Sequence, residues 1–438
     1  MKIAFISPNQ EKMPTPVVPL GLLYVMGSLD ETYDKELWDL CFEENPLAFL
    51  IKSINVYNPD IVAIGIRNIH NNSYSSMDEN IDYYKRIIAT IREHSQSPII
   101  IGGSGFSVMP EKLMEILKVD FGIIGEAENI FPLLIRKIST RADDFETISN
   151  LYFFKNGEIK FSNSLGTVVR TFIDLHKNCL PARKYTNPYY YTITGTESIQ
   201  SKRGCNFKCC YCAYPRIEGP ISRLRSPVDV AKEMFTRAQE VDTISNFFIV
   251  DSVFNWPPDH AKNICKELVR GHFHLPWSCY INPRGFDEEM ACLMAKAGCN
   301  GVEIGADSGN NSVLLRLRKG FTTDTITTTH KFCEQFNIKD CYTLLVGTPG
   351  ESLEEINSSL DFFENLYPTA LIIMIWQDES KSLNKNTVIN EISHTIKIRS
   401  QKNPNWIVPS LNINFNEKMF RFMRRRGYPY PLWIHLGK

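Results

Sequence analysis

The amino-acid sequence predicts an α/β fold. A doubly wound parallel-sheet domain comes first, a partial barrel of six strand–helix units follows, and a small cap closes the chain. Three observations carry this. At 438 residues the chain exceeds one ordinary domain and suits two or three. From Met1 to about Ile138 short apolar runs alternate with amphipathic stretches. After an irregular interval the same alternation resumes at Thr192 and recurs through six units.

In the first domain, residues 1–140, the runs at 3–7, 60–66, 98–102 and 120–124 read as parallel strands. Near-continuous Ile, Val and Ala without polar alternation is what a sheet covered on both faces requires. Segments starting at Gly21, Asp78, Pro110 and Asn129 read as helices. Loops 8–20, 67–76, 102–105 and 125–128 leave the C-terminal ends of the strands, where such sheets bind ligands. Glycine there permits close backbone approach, and it is equally plain turn chemistry. Residues 141–191 read as a linker: a hairpin over 151–159 around Asn156-Gly157, then a stretch rich in Pro and Tyr. The barrel, residues 192–385, takes strands at 192–201, 246–251, 277–281, 301–305, 342–347 and 370–375. Residues 386–438, with Trp406, Pro409, Pro429, Pro431 and Trp433, read as a cap or tail packed on the barrel.

Composition narrows the function. Hydrophobic residues are 43% and charged residues 22%, ordinary for a globular chain, and no apolar run reaches the roughly 18 residues of a membrane span. A net charge of -1 supplies no basic field for nucleic acid, and Arg424 to Arg426 read as a solvated helix face. The first residues form a strand pattern, not a secretory signal, so the expectation is cytoplasmic with reduced thiols. Of twelve cysteines, four fall between 205 and 212. Cys41, Cys179, Cys265, Cys279, Cys292, Cys299, Cys333 and Cys341 are scattered in apolar patterns and read as core filler.

Arg203-Gly204-Cys205-Asn206-Phe207-Lys208-Cys209-Cys210-Tyr211-Cys212 follows the first barrel strand. Thiolates are the soft ligands an iron–sulfur cluster requires, and a short Cys-only loop can hold three corners of a cubane. Structural zinc would ask for four ligands, often as two Cys pairs, and no second pair follows. A disulfide fails on compartment and crowding. Cys210 beside Cys209 competes for the register, and x3 then x2 spacing selects Cys209.

This stretch resembles the CxxxCxxC motif of the radical S-adenosylmethionine (SAM) superfamily, and the likeness extends over roughly residues 192 to 385. The resemblance implies a TIM-type barrel and a 4Fe-4S cluster on Cys205, Cys209 and Cys212. It implies an open iron that chelates the amino and carboxylate groups of SAM, and reductive cleavage of SAM to methionine and a 5'-deoxyadenosyl radical. It also implies an electron donor such as flavodoxin or ferredoxin. Tyr211 matches the aromatic position before the last Cys, whose neighbourhood packs on the adenine. Asp251 resembles the acidic residue that binds the SAM amino group. Gly305-Ala306-Asp307-Ser308-Gly309 resembles Gly-x-Glu-Ser-Gly with Asp for Glu, and Lys319 stands where a basic residue meets the SAM carboxylate. Gly347-Thr348-Pro349-Gly350-Glu351 matches a turn after the fifth strand. Asp307 is equally an N-cap for the next helix, and Glu303 is either a ribose ligand or a strand residue facing the lumen.

The first domain resembles the Rossmann-like cobalamin-binding domain fused ahead of the barrel in B12-dependent, class B methyltransferase-like radical SAM enzymes. Pro19-Leu20-Gly21, Gly102 to Ser107 and Gly125 to Glu128 carry the likeness. It implies cobalamin contacts from Leu20, Arg67, Asn68, Gly103, Ser104, Gly105 and Glu126. The Asp-x-His-x-x-Gly signature that gives cobalt a histidine is absent; His70 is a lone loop imidazole. Arg67 is then either a cation below cobalt that excludes a lower ligand, as in one branch of the class, or the partner of an acidic neighbour.

The resemblance implies C-methylation of an unactivated carbon of a small molecule, within natural-product biosynthesis. One SAM methylates cobalt, and a second supplies the radical. Two rivals stand beside it: dehydration, deoxygenation or ring rearrangement without methyl transfer, and a non-catalytic cobalamin or cluster sensor. Met374 to Ser380, where relatives often carry an Arg-x-x-Pro-Gly-Thr-like stretch, suggests a sixth strand adapted to an unusual substrate.

Overall fold

The computed structural model describes residues 1–69, 77–163, 180–376, 385–428 and 430–436. They form two compact units. The first comprises residues 1–12, 16–190 and 213–223; the second comprises 13–15, 191–212 and 224–438.

The first unit is built on a seven-stranded sheet in the order Asp34–Asp39, Lys2–Ser7, Ile61–Gly65, Ile99–Gly102, Phe121–Ile123, Leu151–Lys155, Glu158–Phe161. The first five strands are parallel, and the last two antiparallel. Lys2–Ser7 has later strands on both sides, so the strand order reverses there, and ligands of such sheets sit outside that point. Its near-continuous apolar run has a direct cause: Ala4 and Ile6 enter one core, Ile3 and Phe5 the other.

Two features differ from the sequence reading. The hairpin assigned to a linker extends this sheet, because Leu151 and Phe153 alternate into the core while Tyr152 stacks on Phe161 at 4.6 Å. The edge strand Asp34–Asp39 and helix Pro46–Tyr57 have no counterpart in that reading. Asp34, Lys35 and Glu36 mask the strand's period, as charge commonly does on a sheet edge.

The second unit is a parallel sheet in sequential order: Thr196–Ile199, Asn246–Ile249, Trp277–Ile281, Cys299–Asp307, Lys339–Val346, Ala370–Ile375, Trp406–Ile407. Helices connect successive strands, as in a barrel. Among the described residues no pairing joins the last strand to the first, so the barrel is open. The expected cap therefore begins with helix Lys385–Ser400 and a seventh strand. Side chains such as Ile304, Tyr342 and Phe363 fill the layer between strands and helices. From the other face of the sheet, Phe415, Phe420, Met423 and Trp433 pack on Cys341, Ala370 and Ile407. Among the described residues no helix is long and apolar enough to cross a membrane.

Candidate active site

The cysteine loop is latched at its start. Asp251, buried just past strand Asn246–Ile249, accepts hydrogen bonds from the backbone N–H of Ser201 at 2.8 Å and of Lys202 at 3.1 Å, and from the Ser201 hydroxyl. Burial raises its carboxyl above the usual range, and the Lys202 charge and these bonds oppose that rise. Both oxygens are thus engaged with the chain leading into the loop.

Within the loop Cys205 is buried, Cys209 and Cys212 are half-buried, and Cys210 is exposed. The N–H of Cys210 donates to the Leu317 carbonyl at 3.2 Å, and its thiol lies 3.6 Å from the Arg316 carbonyl. Cys210, which x3 and x2 spacing leaves spare, is thus the most exposed of the four thiols. Burial raises the Cys209 thiol; Lys319 lowers it, while Asp307 and Cys205 raise it. The Cys209 thiol is thus raised in part by the charge of Cys205, an arrangement that a cationic cluster relieves. Among the described residues no three His, Cys, Asp or Glu side chains converge on one ion. A cubane asks for no such point, since each thiolate takes a different iron. The loop fits a three-thiolate cluster.

Beside Cys209 lies a buried polar group. Lys319 donates through Nζ to Asp307 and, at 3.1 Å, to the Tyr211 hydroxyl, which itself donates to Asp307. Asp307 reaches this position because its strand bulges between Gly305 and Asp307, leaving Asp307 at φ +67°, a region few non-glycine residues adopt outside Asn and Asp. Burial, then the Asp307 charge, pushes the Tyr211 phenol far above its ordinary value. Its ring meets Trp376 edge-on at 6.2 Å.

Three residues that the resemblance assigns to SAM thus come together. Asp307 does not cap the following helix; Asn310 does, accepting from Ser312 N at 2.9 Å. Ser308 does not join the group: the bulge turns its hydroxyl to Ser359 at 2.9 Å, against helix Leu353–Leu366. Glu303 faces the barrel lumen, where the Trp433 indole N–H donates to it at 2.9 Å. Gly347, at φ +78°, opens the predicted turn, and Glu351 closes it by accepting from Thr348 N and Oγ, each at 2.9 Å.

In the first unit the cobalamin candidates follow four parallel strands. Leu20 opens helix Leu20–Gly27, and a Cβ placed on the next residue, Gly21, would meet nothing within 4 Å among the described residues. Arg67 is exposed, and no hydrogen bond or ion pair to its guanidinium occurs among the described residues, so no acidic partner is seen. Its carbonyl accepts from Ser104 Oγ at 3.0 Å, and the Asn68 carbonyl from Tyr84 OH at 2.5 Å. At Gly103, φ +100°, a Cβ would lie 2.5 Å from the Ile66 carbonyl oxygen, and at Gly105 3.1 Å from that of Arg67. These glycines let helix Ser104–Val108 dock on the loop carrying Arg67. Glu126 is occupied by Arg223, one bond at 2.6 Å and a second shorter. His70 lies outside the described residues. Among the described residues the open backbone at Gly21 and the exposed Arg67 would leave room for a broad flat ligand at these loops.

Sequence reasoning gave no site role to Lys202, Arg223 or Trp433. Lys202 had a local signal, as a cation three residues before Cys205, and Trp376 lies within the Met374–Ser380 stretch already singled out.

The radical SAM superfamily model matches residues 199–363, and the B12 binding domain model matches residues 9–135. The chain is 25% identical over 419 residues to tryptophan 2-C-methyltransferase of Streptomyces laurentii, covering 82% of this chain and 69% of that one. The solved structure of the radical SAM methyltransferase TsrM from Kitasatospora setae, with tryptophan and aza-SAM bound, matches with TM-score 0.74 and 27% identity over 85% of this chain and 72% of TsrM. Another TsrM structure holds cobalamin and a 4Fe-4S cluster. The cobalamin-dependent radical SAM enzyme OxsB shares the fold, at TM-score 0.67 and 17% identity over 91% of this chain and 56% of OxsB.

Proposed function

This chain belongs to the radical SAM enzymes that carry an N-terminal B12-binding domain, and from that premise we propose that it methylates an unactivated carbon of a small molecule in natural-product biosynthesis. The observation that carries this reading is the cysteine loop beside the Tyr211–Asp307–Lys319 group, in one chain with a B12-binding domain.

When bound, the cluster and SAM supply the radical chemistry and cobalamin carries the methyl group. The chain's own residues position and shield. Asp251, through Ser201 and Lys202, sets where the cysteine loop leaves its strand. Lys319 and Asp307 offer opposite charges side by side, which suits the zwitterionic amino-acid end of SAM. In this reading Tyr211, Asp307, Lys319 and Gly347 line the SAM site, while Asp251 serves the cysteine loop and Ser308 the helix behind it. Leu20, Arg67, Asn68, Gly103, Ser104 and Gly105 line the cobalamin loops, and Glu126 shapes them through Arg223. Flavodoxin or ferredoxin is the expected electron source.

The test is anaerobic incubation of the loaded enzyme with SAM deuterated in its methyl group, a strong reductant and candidate small molecules, tryptophan first. A product carrying the deuterated methyl supports the reading. SAM cleavage with a product that has lost water or oxygen, or rearranged without label, would replace it with the deoxygenation or rearrangement chemistry.

A further inference from the structure

On the lumen face of strand Cys299–Asp307, alternate residues form a column: Gly301, Glu303, Gly305 and then, past the bulge, Asp307. The two glycines do different things. A Cβ on Gly301 would lie 3.1 Å from both Trp433 and Ile434, so the C-terminal segment forms a floor at that level. Among the described residues a Cβ on Gly305 would meet only Lys319 Nζ, at 3.9 Å, so these residues leave the space between Glu303 and the Tyr211–Asp307–Lys319 group open. Glu303 stands between floor and opening, half-buried.

The charge of Glu303 is not balanced as that of its neighbours is. Asp251 feels Lys202, Asp307 pairs with Lys319, and Glu197 pairs with Arg237. Glu303 has only neutral donors, the Trp433 indole at 2.9 Å and Tyr280, and no ion pair to it occurs among the described residues. Burial raises its carboxyl above the usual range, against both hydrogen bonds. A carboxylate withdrawn from water without a cation is costly, and an incoming cation removes that cost. The wall beside it is aromatic. Tyr280, 38% exposed, meets Phe248 edge-on at 5.0 Å, and Phe248 meets Tyr430 at 5.9 Å. Aromatic faces favour both an apolar body and a positive charge.

We propose that Glu303 is the substrate anchor of this site and selects a small molecule that carries a protonated amine on a flat apolar body. This rests on the methyltransferase reading for the place of the reaction, and it supplies what that reading lacks, a substrate class. Trp433 and Tyr280 act as positioning residues that hold the carboxylate toward the opening above it.

The test uses the cluster-loaded full chain without SAM or reductant. Saturation-transfer NMR titrations compare 2-phenylethylammonium with 2-phenylethanol, equal in shape and different in charge. Wild type should bind the ammonium about tenfold more tightly, the effect of one charge-assisted contact. Glu303→Gln should abolish that preference, and Glu303→Asp should keep part of it. Equal binding of the two probes by wild type, or a preference unchanged in Glu303→Gln, overturns the anchor, and the wild-type comparison decides even where the Gln variant fails to load its cluster. Because no turnover is involved, the two readings fail separately. An intact ammonium preference with no labelled product from any amine counts against methyl transfer alone. Label transferred to an uncharged molecule, at a rate that Glu303→Gln leaves unchanged, counts against the anchor alone.

Discussion

Replacing Asp307 by Asn removes the counter-charge of Lys319 while keeping a side chain of the same shape. Asn is also among the residues that tolerate the φ of +67° at this position, so the change isolates charge from backbone strain. Lys319 is 4% exposed and Asp307 likewise 4%, so neither charge is screened by water. Removing one partner of a buried pair costs about 3 to 5 kcal/mol. The remaining amide oxygen and the Tyr211 hydroxyl still accept from Lys319 Nζ, which places Asp307→Asn near the lower end, about 3 kcal/mol. Urea denaturation of the anaerobically loaded protein reads this loss directly. The double variant Asp307→Asn, Lys319→Met should recover much of it, because an apolar stem in place of a stranded ammonium removes the uncompensated charge. A single-variant loss under about 0.5 kcal/mol, the range of ordinary surface substitutions, would refute the claim that this pair is desolvated.

Three further outcomes are expected. Cys205→Ala, Cys209→Ala and Cys212→Ala should each lose the cluster absorbance and SAM cleavage, whereas Cys210→Ala, whose thiol is exposed on the Arg316 carbonyl, should keep both; equal loss in Cys210→Ala would shift the register. If Arg67 lies below the corrin, Arg67→Ala should slow methyl transfer roughly five- to 150-fold, about 1 to 3 kcal/mol, with SAM cleavage retained and Arg67→Lys partly tolerated. A wild-type rate would make Arg67 an ordinary surface residue, and nitrogen splitting in the paramagnetic resonance spectrum of bound cobalamin would contradict an imidazole-free lower face. Burial opposes protonation of His330, but its 2.6 Å bond to Asp340 and the charges of Asp340 and Glu334 raise it above the usual histidine range. A raised folded value stabilises the protein fully below the unfolded value of about 6.5 and loses that contribution as pH climbs through the folded one. The stability difference between wild type and His330→Phe should therefore shrink as pH rises from about 6, and a difference that grows would reverse the sign.

What the sequence discloses follows how local each cause is. The cysteine loop is legible because its ligands lie within eight residues, and the parallel strands because burial on both faces writes an unbroken apolar run. The hairpin at Leu151–Phe161 is legible as a hairpin, but nothing in its own residues says which sheet edge it joins. Tyr211, Asp307 and Lys319 come to notice through a resemblance, yet their pairing depends on one bulge, and that same bulge sends Ser308 to the opposite side. Glu126 and Glu303 meet partners 97 and 130 residues away, in segments without any motif. The two-residue strand at Trp406 is too short to write a period.

The chain does not pass from the first unit to the second once. Directly after Cys212 it re-enters the first unit for residues 213–223, where Arg223 clamps Glu126 at the end of a B12-domain strand, and only then does it continue along the barrel. A gene cut near residue 190 would thus sever a shared piece. The downstream fragment would carry residues 213–223 with no Glu126 to receive Arg223, and the upstream fragment would lose the segment that covers Gly125, whose Cβ position lies 3.7 Å from the Ile217 carbonyl. Exchanging B12-binding domains between relatives therefore calls for three splices, one before the barrel, one just behind the third cysteine and one after Arg223.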